Sequence, residues 1–319
     1  MKYIFIINIS EGSEEEHAVF QDIENAFIEN SRSDSFITEY ITEEKSARAL
    51  AKGYSEKYGA DCIIFACGGI GTVHEAANAL AHTDTPLGVL PLGKTGDIAA
   101  KLYGTKSGIY SAAEQLGLLE ASPKMKIRRI DLGKCCGEYF ISSVSLGFDS
   151  TVRRRSEKIT KKLPKAAPLS EKLAFAASLA GNKKYSVYAN FLVSHTANGI
   201  TRRYPLTKTL EHTLIAVTNS GWCGRFCPAP NAVLNDGLLE MAVAEPCNFA
   251  EVCAAAPMYR KGVADISGKV RYYSVIKGEF TSSDGEPFTI LLDGRETVTE
   301  KAEISVESKA LKLCTSMFS

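Results

Sequence analysis

Three short stretches of the chain combine residue types that chemistry uses. The first, Cys67-Gly68-Gly69-Ile70-Gly71-Thr72-Val73-His74-Glu75-Ala76-Ala77-Asn78, passes from an apolar strand pattern through three glycines into a helical pattern. Backbone N–H groups in such a turn can face an anion at the positive end of a helix dipole. The same letters fit a plain strand-to-helix turn in which Thr72 caps the helix and Glu75 closes a capping box. The second stretch, Gly88–Thr95, matches the P-loop expression, but Val89-Leu90-Pro91-Leu92 reads as the strand itself. A second anion-facing turn at Gly93-Lys94-Thr95-Gly96-Asp97, opening a helix, is the better reading. The third feature is a pair of Asp-Gly steps, Asp236-Gly237 and Asp293-Gly294, each of which also fits an ordinary hairpin turn.

Positioning these turns requires a regular scaffold, and the first 120 residues supply its pattern. Apolar runs at 2–8, 35–40, 61–67 and 86–91 alternate with amphipathic stretches at 14–30, 43–58 and 73–81. The run 61–67 is apolar on consecutive positions, as in a parallel strand covered on both faces. An open doubly wound sheet follows, whose ligands sit at the carboxyl ends of the strands. From about residue 125 the pattern becomes short alternating segments, at 126–132, 139–146, 185–193, 212–219, 238–244 and 288–292, which predicts a largely antiparallel second half. Helical inserts are expected near 152–162, 170–180 and 248–258.

Composition sets the class. The chain has 319 residues, 45% hydrophobic and 23% charged, with no net charge, which excludes disordered and fibrous classes. No apolar run reaches the roughly 18 residues of a membrane helix, and the first residues read as a buried strand rather than a signal segment. A soluble cytoplasmic protein is expected, and nine scattered cysteines fit reduced thiols. Cys135, Cys136, Cys223 and Cys227 lack zinc-site spacing. The net charge is −8 over residues 1–125 and +8 over 126–319, so the second half is the one built to meet anions. Arg154, Lys158, Lys161 and Lys162 share one helical face, which suits either solvent or anionic lipid headgroups. His74 and His195 are isolated and receive no role, and Trp222 reads as a partly buried anchor.

The two glycine-bearing turns, in this order and spacing, resemble the diacylglycerol kinase catalytic-domain family of lipid kinases, related to sphingosine and ceramide kinases. That family carries G-G-D-G-T-x-x-E-x-x-N, then P-x-G-T-x-N-D, ahead of a β-rich lipid-binding half. Further likenesses run along nearly the whole chain: Asn8-Ile9-Ser10-Glu11-Gly12, Thr42 ahead of Ser46–Leu50, Ser145-Leu146-Gly147-Phe148-Asp149, Pro228–Ala232, Asn235–Glu240 and Leu292-Asp293-Gly294-Arg295. The resemblance implies ATP and Mg²⁺ as cofactors and phosphorylation of a lipid hydroxyl, such as that of diacylglycerol. It implies nucleotide contacts from Asn8, Thr42, Gly68, Gly69, Gly71, Thr72, Glu75, Gly93, Lys94, Thr95 and Asp97. Asp293 takes the place of the base. Asp236, with the carbonyls of Val233 and Leu238, takes that of a structural Mg²⁺ site.

The departures bear on activity. Ile70 replaces the aspartate of G-G-D-G-T, Lys94-Thr95-Gly96 replaces T-G-N, Arg295 replaces the glutamate after the D-G pair, and Glu11 takes a serine position. Ile70, Lys94 and Arg295 together make the cleft more positive than the family's by about four charges. Lys94 and Arg295 could hold phosphates without a metal, but neither takes a proton from an attacking hydroxyl at neutral pH.

The expected fold is α/β, with a doubly wound, Rossmann-like nucleotide-binding domain over 1–124 and a largely antiparallel β-sandwich domain for lipid over 125–303. The segment 304–319 is expected to pack back on the first. The expected function is an ATP-dependent lipid kinase; the alternative is a catalytically impaired relative that binds a nucleotide or phosphorylated lipid as a sensor or scaffold. Expected partners are a nucleotide and a lipid substrate or anionic membrane surface, met peripherally, and no nucleic acid. A homodimer is left open.

Overall fold

In the computed structural model of the chain, residues 1–92, 98–104, 108–163, 167–180, 185–224, 226–261 and 268–316 are described. The expected turn residues Gly93, Lys94, Thr95 and Asp97 lie outside them.

The first part alternates strand and helix: β1 (Lys2–Ile7), α1 (Glu14–Glu29), β2 (Phe36–Tyr40), α2 (Ala47–Tyr58), β3 (Cys62–Gly68), α3 (Ile70–Leu80), β4 (Leu87–Pro91), α4 (Ile98–Tyr103) and α5 (Ile109–Gln115). β4, β3, β1 and β2 are neighbours in that order and pair in parallel. Helices start where the sequence offers caps. Ser13 accepts the Glu16 N–H while Glu16 returns to the Ser13 N–H, and Ser46 accepts from Ala49. The strand centres are packed by rings: Phe5 stacks on Phe65 with centroids 4.8 Å apart. Gly88 explains the near-match to a P-loop, because a Cβ there would fall 2.3 Å from the Phe65 ring. It is a packing glycine inside β4.

The second part is mostly antiparallel: β5 (Met125–Cys135), β6 (Glu138–Phe140), β7 (Ser143–Gly147), the helix pair α6 (Phe148–Lys162) and α7 (Ala167–Ala180), β8 (Tyr185–Ala197), β9 (Ile200–His212), β10 (Leu214–Thr218), β11 (Leu239–Ala244), α8 (Phe249–Arg260), β12 (Val270–Ser282), β13 (Phe288–Leu292), β14 (Arg295–Thr299) and β15 (Lys301–Ser316). β9, β12, β14 and β15 have no counterpart among the expected strand segments. A second core of Phe140, Phe191, Phe280, Ile290 and their neighbours lies among these strands. β15 joins the two parts, placing Ala302 and Ile304 in the second core and Ala310, Leu311, Leu313 and Cys314 in the first. It pairs with β12, β5 and β4, so one hydrogen-bonded sheet runs through the molecule.

No helix among the described residues is long and apolar enough to cross a membrane. The nine cysteines are free. Trp222 is buried rather than half-buried.

Candidate active site

The carboxyl ends of the parallel strands gather most of the residues expected to contact a nucleotide. β3 buries all seven of its residues and stops at Gly68, and α3 begins at Ile70 with Gly69 as N-cap. No side chain caps this helix. That corrects the capping-box reading, because the helix starts ahead of Thr72 and Glu75 is engaged elsewhere. A Cβ on Gly68 would fall 2.5 Å from Thr72 Oγ1, and one on Gly69 would fall 2.8 Å from Glu11 Oε2, whereas Gly71 has nothing within 4 Å. At Gly68 the Thr72 side chain leaves no room for a Cβ, whereas at Gly69 the near neighbour is the movable end of the Glu11 side chain. The Glu11 carboxylate accepts the Gly69 N–H. An anion thus already occupies the turn, and it belongs to the chain.

Asn8, just beyond β1, donates to Thr72 Oγ1 at 3.4 Å and accepts from the Ser10 hydroxyl at 2.7 Å. Thr42 lies exposed beyond β2, its hydroxyl accepting the Lys45 N–H at 3.1 Å. Asn8, Gly68, Gly69, Gly71 and Thr72 are brought together, with Thr42 at the end of the neighbouring strand.

Asp293 sits in the two-residue turn between β13 and β14. Asp293 has φ +44° and Gly294 φ +77°, the left-handed conformations an Asp-Gly hairpin turn favours. The turn is also buried and polar. Asp293 Oδ1 accepts the N–H groups of Ser142 (2.9 Å) and Ser143 (3.0 Å), while Oδ2 accepts that of Ile141 (3.0 Å) and faces His74 Nδ1 (2.9 Å). Those four partners fill its lone-pair directions. The apolar Ile70 lines the same turn, its Cγ2 lying 3.6 Å from where a Cβ on Gly294 would stand.

His74, given no role from sequence, requires correction. It is fully buried, with Nδ1 on Asp293 and Nε2 2.8 Å from Glu138 Oε2. Glu138 also takes Arg48 Nη2 at 2.9 Å. Glu75 Oε1 takes Arg295 Nη1 at 3.3 Å, and its Oε2 lies 3.5 Å from the Arg48 amide nitrogen. Burial opposes charging the His74 ring, but Asp293 and then Glu138 outweigh it and raise the imidazole above its ordinary value. The Arg48 guanidinium, ahead of His74, holds Glu138 below the usual carboxylate range. No sequence signal marked this cluster, since the partners of His74 lie 64 and 219 residues away. His195 lies exposed on β8.

Two other carboxylates stand out. Asp149, at the start of α6, accepts from the Ser145 hydroxyl and the Ser150 N–H, and burial pushes its carboxyl up to about 6. Asp236 accepts the Leu238 N–H at 3.0 Å, beside Asp131, which accepts the N–H groups of Gly237 and Lys309, each at 2.7 Å. Burial raises the Asp236 carboxyl, the Leu238 amide lowers it, and the Asp131 charge raises it again. Two neighbouring carboxylates suit one hard cation held with backbone carbonyls. Val233 is exposed at the same loop. At the Gly68–Thr72 turn the residues do not fit Mg²⁺: Ile70 offers no oxygen, Glu75 is paired and Asp293 is filled. Among the described residues no three His, Cys, Asp or Glu side chains converge on a metal position.

The basic face of α6 is partly spent. Arg154 bonds Glu296 at 2.8 Å, which leaves Lys158, Lys161 and Lys162 exposed.

Comparison with known proteins shows the family and the fold. Residues 2–135 match the family model described as the diacylglycerol kinase catalytic domain. A "Probable lipid kinase YegS-like" of Chromohalobacter salexigens is 30% identical over 78% of this chain and 75% of its own length. The "Diacylglycerol kinase" of Bacillus subtilis is 30% identical over 63% of this chain, and the match spans 60% of that protein. A crystal structure of a diacylglycerol kinase from Bacillus anthracis str. Sterne superposes with a TM-score of 0.65 at 16% identity, covering 99% of this chain and 97% of that one.

Proposed function

We propose, from the premise that the chain belongs to the diacylglycerol kinase catalytic-domain family of lipid kinases, that it holds a phosphate-bearing ligand beside the Gly68–Thr72 turn and transfers phosphate slowly or not at all. The observation that carries this reading is the filled carboxylate of Asp293. A general base needs a lone pair aimed at the proton it takes. Freeing one on Asp293 means giving up a hydrogen bond to a charged group, worth about 1.5–3 kcal/mol. Ile70 removes a second contribution, because losing one charge-stabilising contact in a transition state commonly costs about 10²–10³ in rate.

Binding needs less. A ligand phosphate at the turn, once it displaced the Glu11 carboxylate, would be met by the Gly69 N–H and the positive end of α3, with Asn8 and Thr72 at its side. ATP and a phosphorylated lipid are the two candidate ligands, and Mg²⁺ would supply charge neutralisation only if the ligand carried it in.

Membrane contact is proposed for the α6–α7 pair. Exposed Lys158, Lys161 and Lys162 lie on the same pair as Leu163, Leu169 and Leu173, which are 61%, 54% and 50% exposed. Cations beside apolar side chains suit an anionic headgroup layer. A peripheral cytoplasmic protein fits that reading.

The test pairs calorimetric titration of ATP and of dispersed phosphatidic acid, each with and without Mg²⁺, with transfer of radiolabel from ATP over a lipid panel. Binding without transfer is the expected result. Robust Mg²⁺-dependent turnover would overturn the impaired reading and restore the active kinase, while failure of both ligands to bind would overturn both. Co-sedimentation with anionic but not zwitterionic vesicles tests the membrane contact.

A further inference from the structure

Six titratable residues meet at the seam between the two cores: Asp293, His74, Glu138 and Arg48 form an alternating run of charge, and beside it stands the pair Glu75 and Arg295, with Glu75 Oε2 3.5 Å from the backbone nitrogen of Arg48. Three members belong to the first part (Arg48 on α2, His74 and Glu75 on α3) and three to the second (Glu138 on β6, Asp293 and Arg295 at the β13–β14 turn). Asn78 strengthens the same seam, giving its amide to the Tyr139 and His74 carbonyls at 2.8 and 2.9 Å and accepting the Tyr139 N–H at 2.9 Å.

The proton count at His74 decides what holds this seam. A neutral imidazole has one donor and one acceptor. Both ring nitrogens here face carboxylate oxygens within 3 Å, and neither carboxylate has reason to hold the extra proton. Asp293 is filled by three backbone N–H groups, and Glu138 is held ionised by Arg48. Only an imidazolium satisfies both contacts. The pattern of shifts agrees, with His74 raised and Glu138 lowered.

We infer that His74 is a buried imidazolium that clasps the two halves of the molecule, and that its deprotonation loosens the seam at the Asp293 turn. The inference stands whether or not the chain binds a nucleotide. Facing the ring are Asp293 and Glu138; behind them stand Arg48 from α2, Glu75 from α3 itself and Arg295 from β14. Beyond Tyr139 are Lys134 of β5, its Nζ 5.6 Å from the ring centre, and His82, 3.2 Å from the hydroxyl. β3 brings the buried thiol of Cys67, which burial keeps protonated. Because the folded value of His74 is raised, its contribution to stability is complete below the ordinary value of about 6.5 and is lost as pH rises through the folded value.

The experiment titrates the wild-type protein, labelled at histidine Cε1, by NMR from about pH 5 to about pH 9. The expected His74 signal is that of imidazolium at neutral pH, with a midpoint above that of free histidine and a lower midpoint in Glu138→Gln. Amide exchange at Ile141, Ser142 and Ser143, corrected for intrinsic rates, should speed up about tenfold or more through the same midpoint. In His74→Gln those amides should exchange fast at every pH. If that variant does not fold, the wild-type titration decides alone. A neutral His74 at pH 7, or exchange at the three amides that ignores its midpoint, overturns the inference.

Discussion

The carboxylate of Glu11 accepts the N–H of Gly69 at the first residue of the turn into α3. The position where a helix terminus and a glycine turn would receive a phosphate is therefore filled from within, by a residue that stands where the family resemblance implies serine. An incoming phosphate has to displace a like charge before it can meet the same N–H. Glu11→Ser should remove that competition. A hydrogen bond to a charged group is worth about 1.5–3 kcal/mol, so the affinity for ATP should rise about tenfold or more. Calorimetry on the two proteins side by side checks this, and equal affinities would show that Glu11 does not compete.

Restoring activity takes more than one carboxylate. Ile70 lies against the Asp293-Gly294 turn, and Arg295 follows at the edge, bonded to Glu75. Ile70→Asp alone would place its new charge near Arg295 and be neutralised by it. The single variant should therefore show no Mg²⁺-dependent transfer, while Ile70→Asp with Arg295→Glu should show some. A radiolabel assay on both variants separates the outcomes, and turnover by the single variant refutes this account of Arg295.

Asp149 gives a stability prediction with a definite sign. Its folded value is raised to about 6 from 3.8, so the folded chain binds the proton more tightly than the unfolded one. Stability from this group is present at low pH and falls as pH rises through about 6. The rise from 3.8 to about 6 corresponds to about 3 kcal/mol at and above neutrality. Asp149→Asn keeps an acceptor for the Ser150 N–H and removes the charge. Melting temperatures should match the wild type near pH 4 and exceed it by several degrees near pH 8. A difference that does not change with pH would place the cause elsewhere.

Legibility in the sequence followed burial and separation along the chain. β1, β3 and β4 could be read because buried parallel strands are apolar on consecutive positions, and the Gly68–Gly69 turn because its glycines follow directly on the apolar run of β3. β9 could not. Among the described residues it pairs with β8 alone, is largely exposed and carries Pro205, which an edge strand tolerates. β12 and β15 are long strands whose pattern changes as they pass from one set of neighbours to another. At the site, Asp293 was visible as an Asp-Gly step, but the donors that fill it come from residues about 150 positions earlier. His74 was invisible for the same reason. Its meaning lies entirely in two carboxylates that only the fold brings to it.

The loop around Asp236 should respond to metal without any change in the seam. Asp131 and Asp236 lie close enough for the charge of one to raise the other, and two such carboxylates bind a hard cation weakly unless carbonyls complete the shell. Added Mg²⁺ or Ca²⁺ should raise the melting temperature of the wild type by a degree or more at millimolar concentration, since a ligand at 100 times its Kd contributes about 2.7 kcal/mol and a weak one less. Chelation should reverse the gain. Asp236→Asn keeps an oxygen to accept the Leu238 N–H and relieves the repulsion with Asp131. Its melting temperature without metal should equal or exceed that of the wild type, and the response to metal should disappear. A metal response that survives in Asp236→Asn would remove Asp236 from the ligand set, and a wild type indifferent to both cations would remove the site.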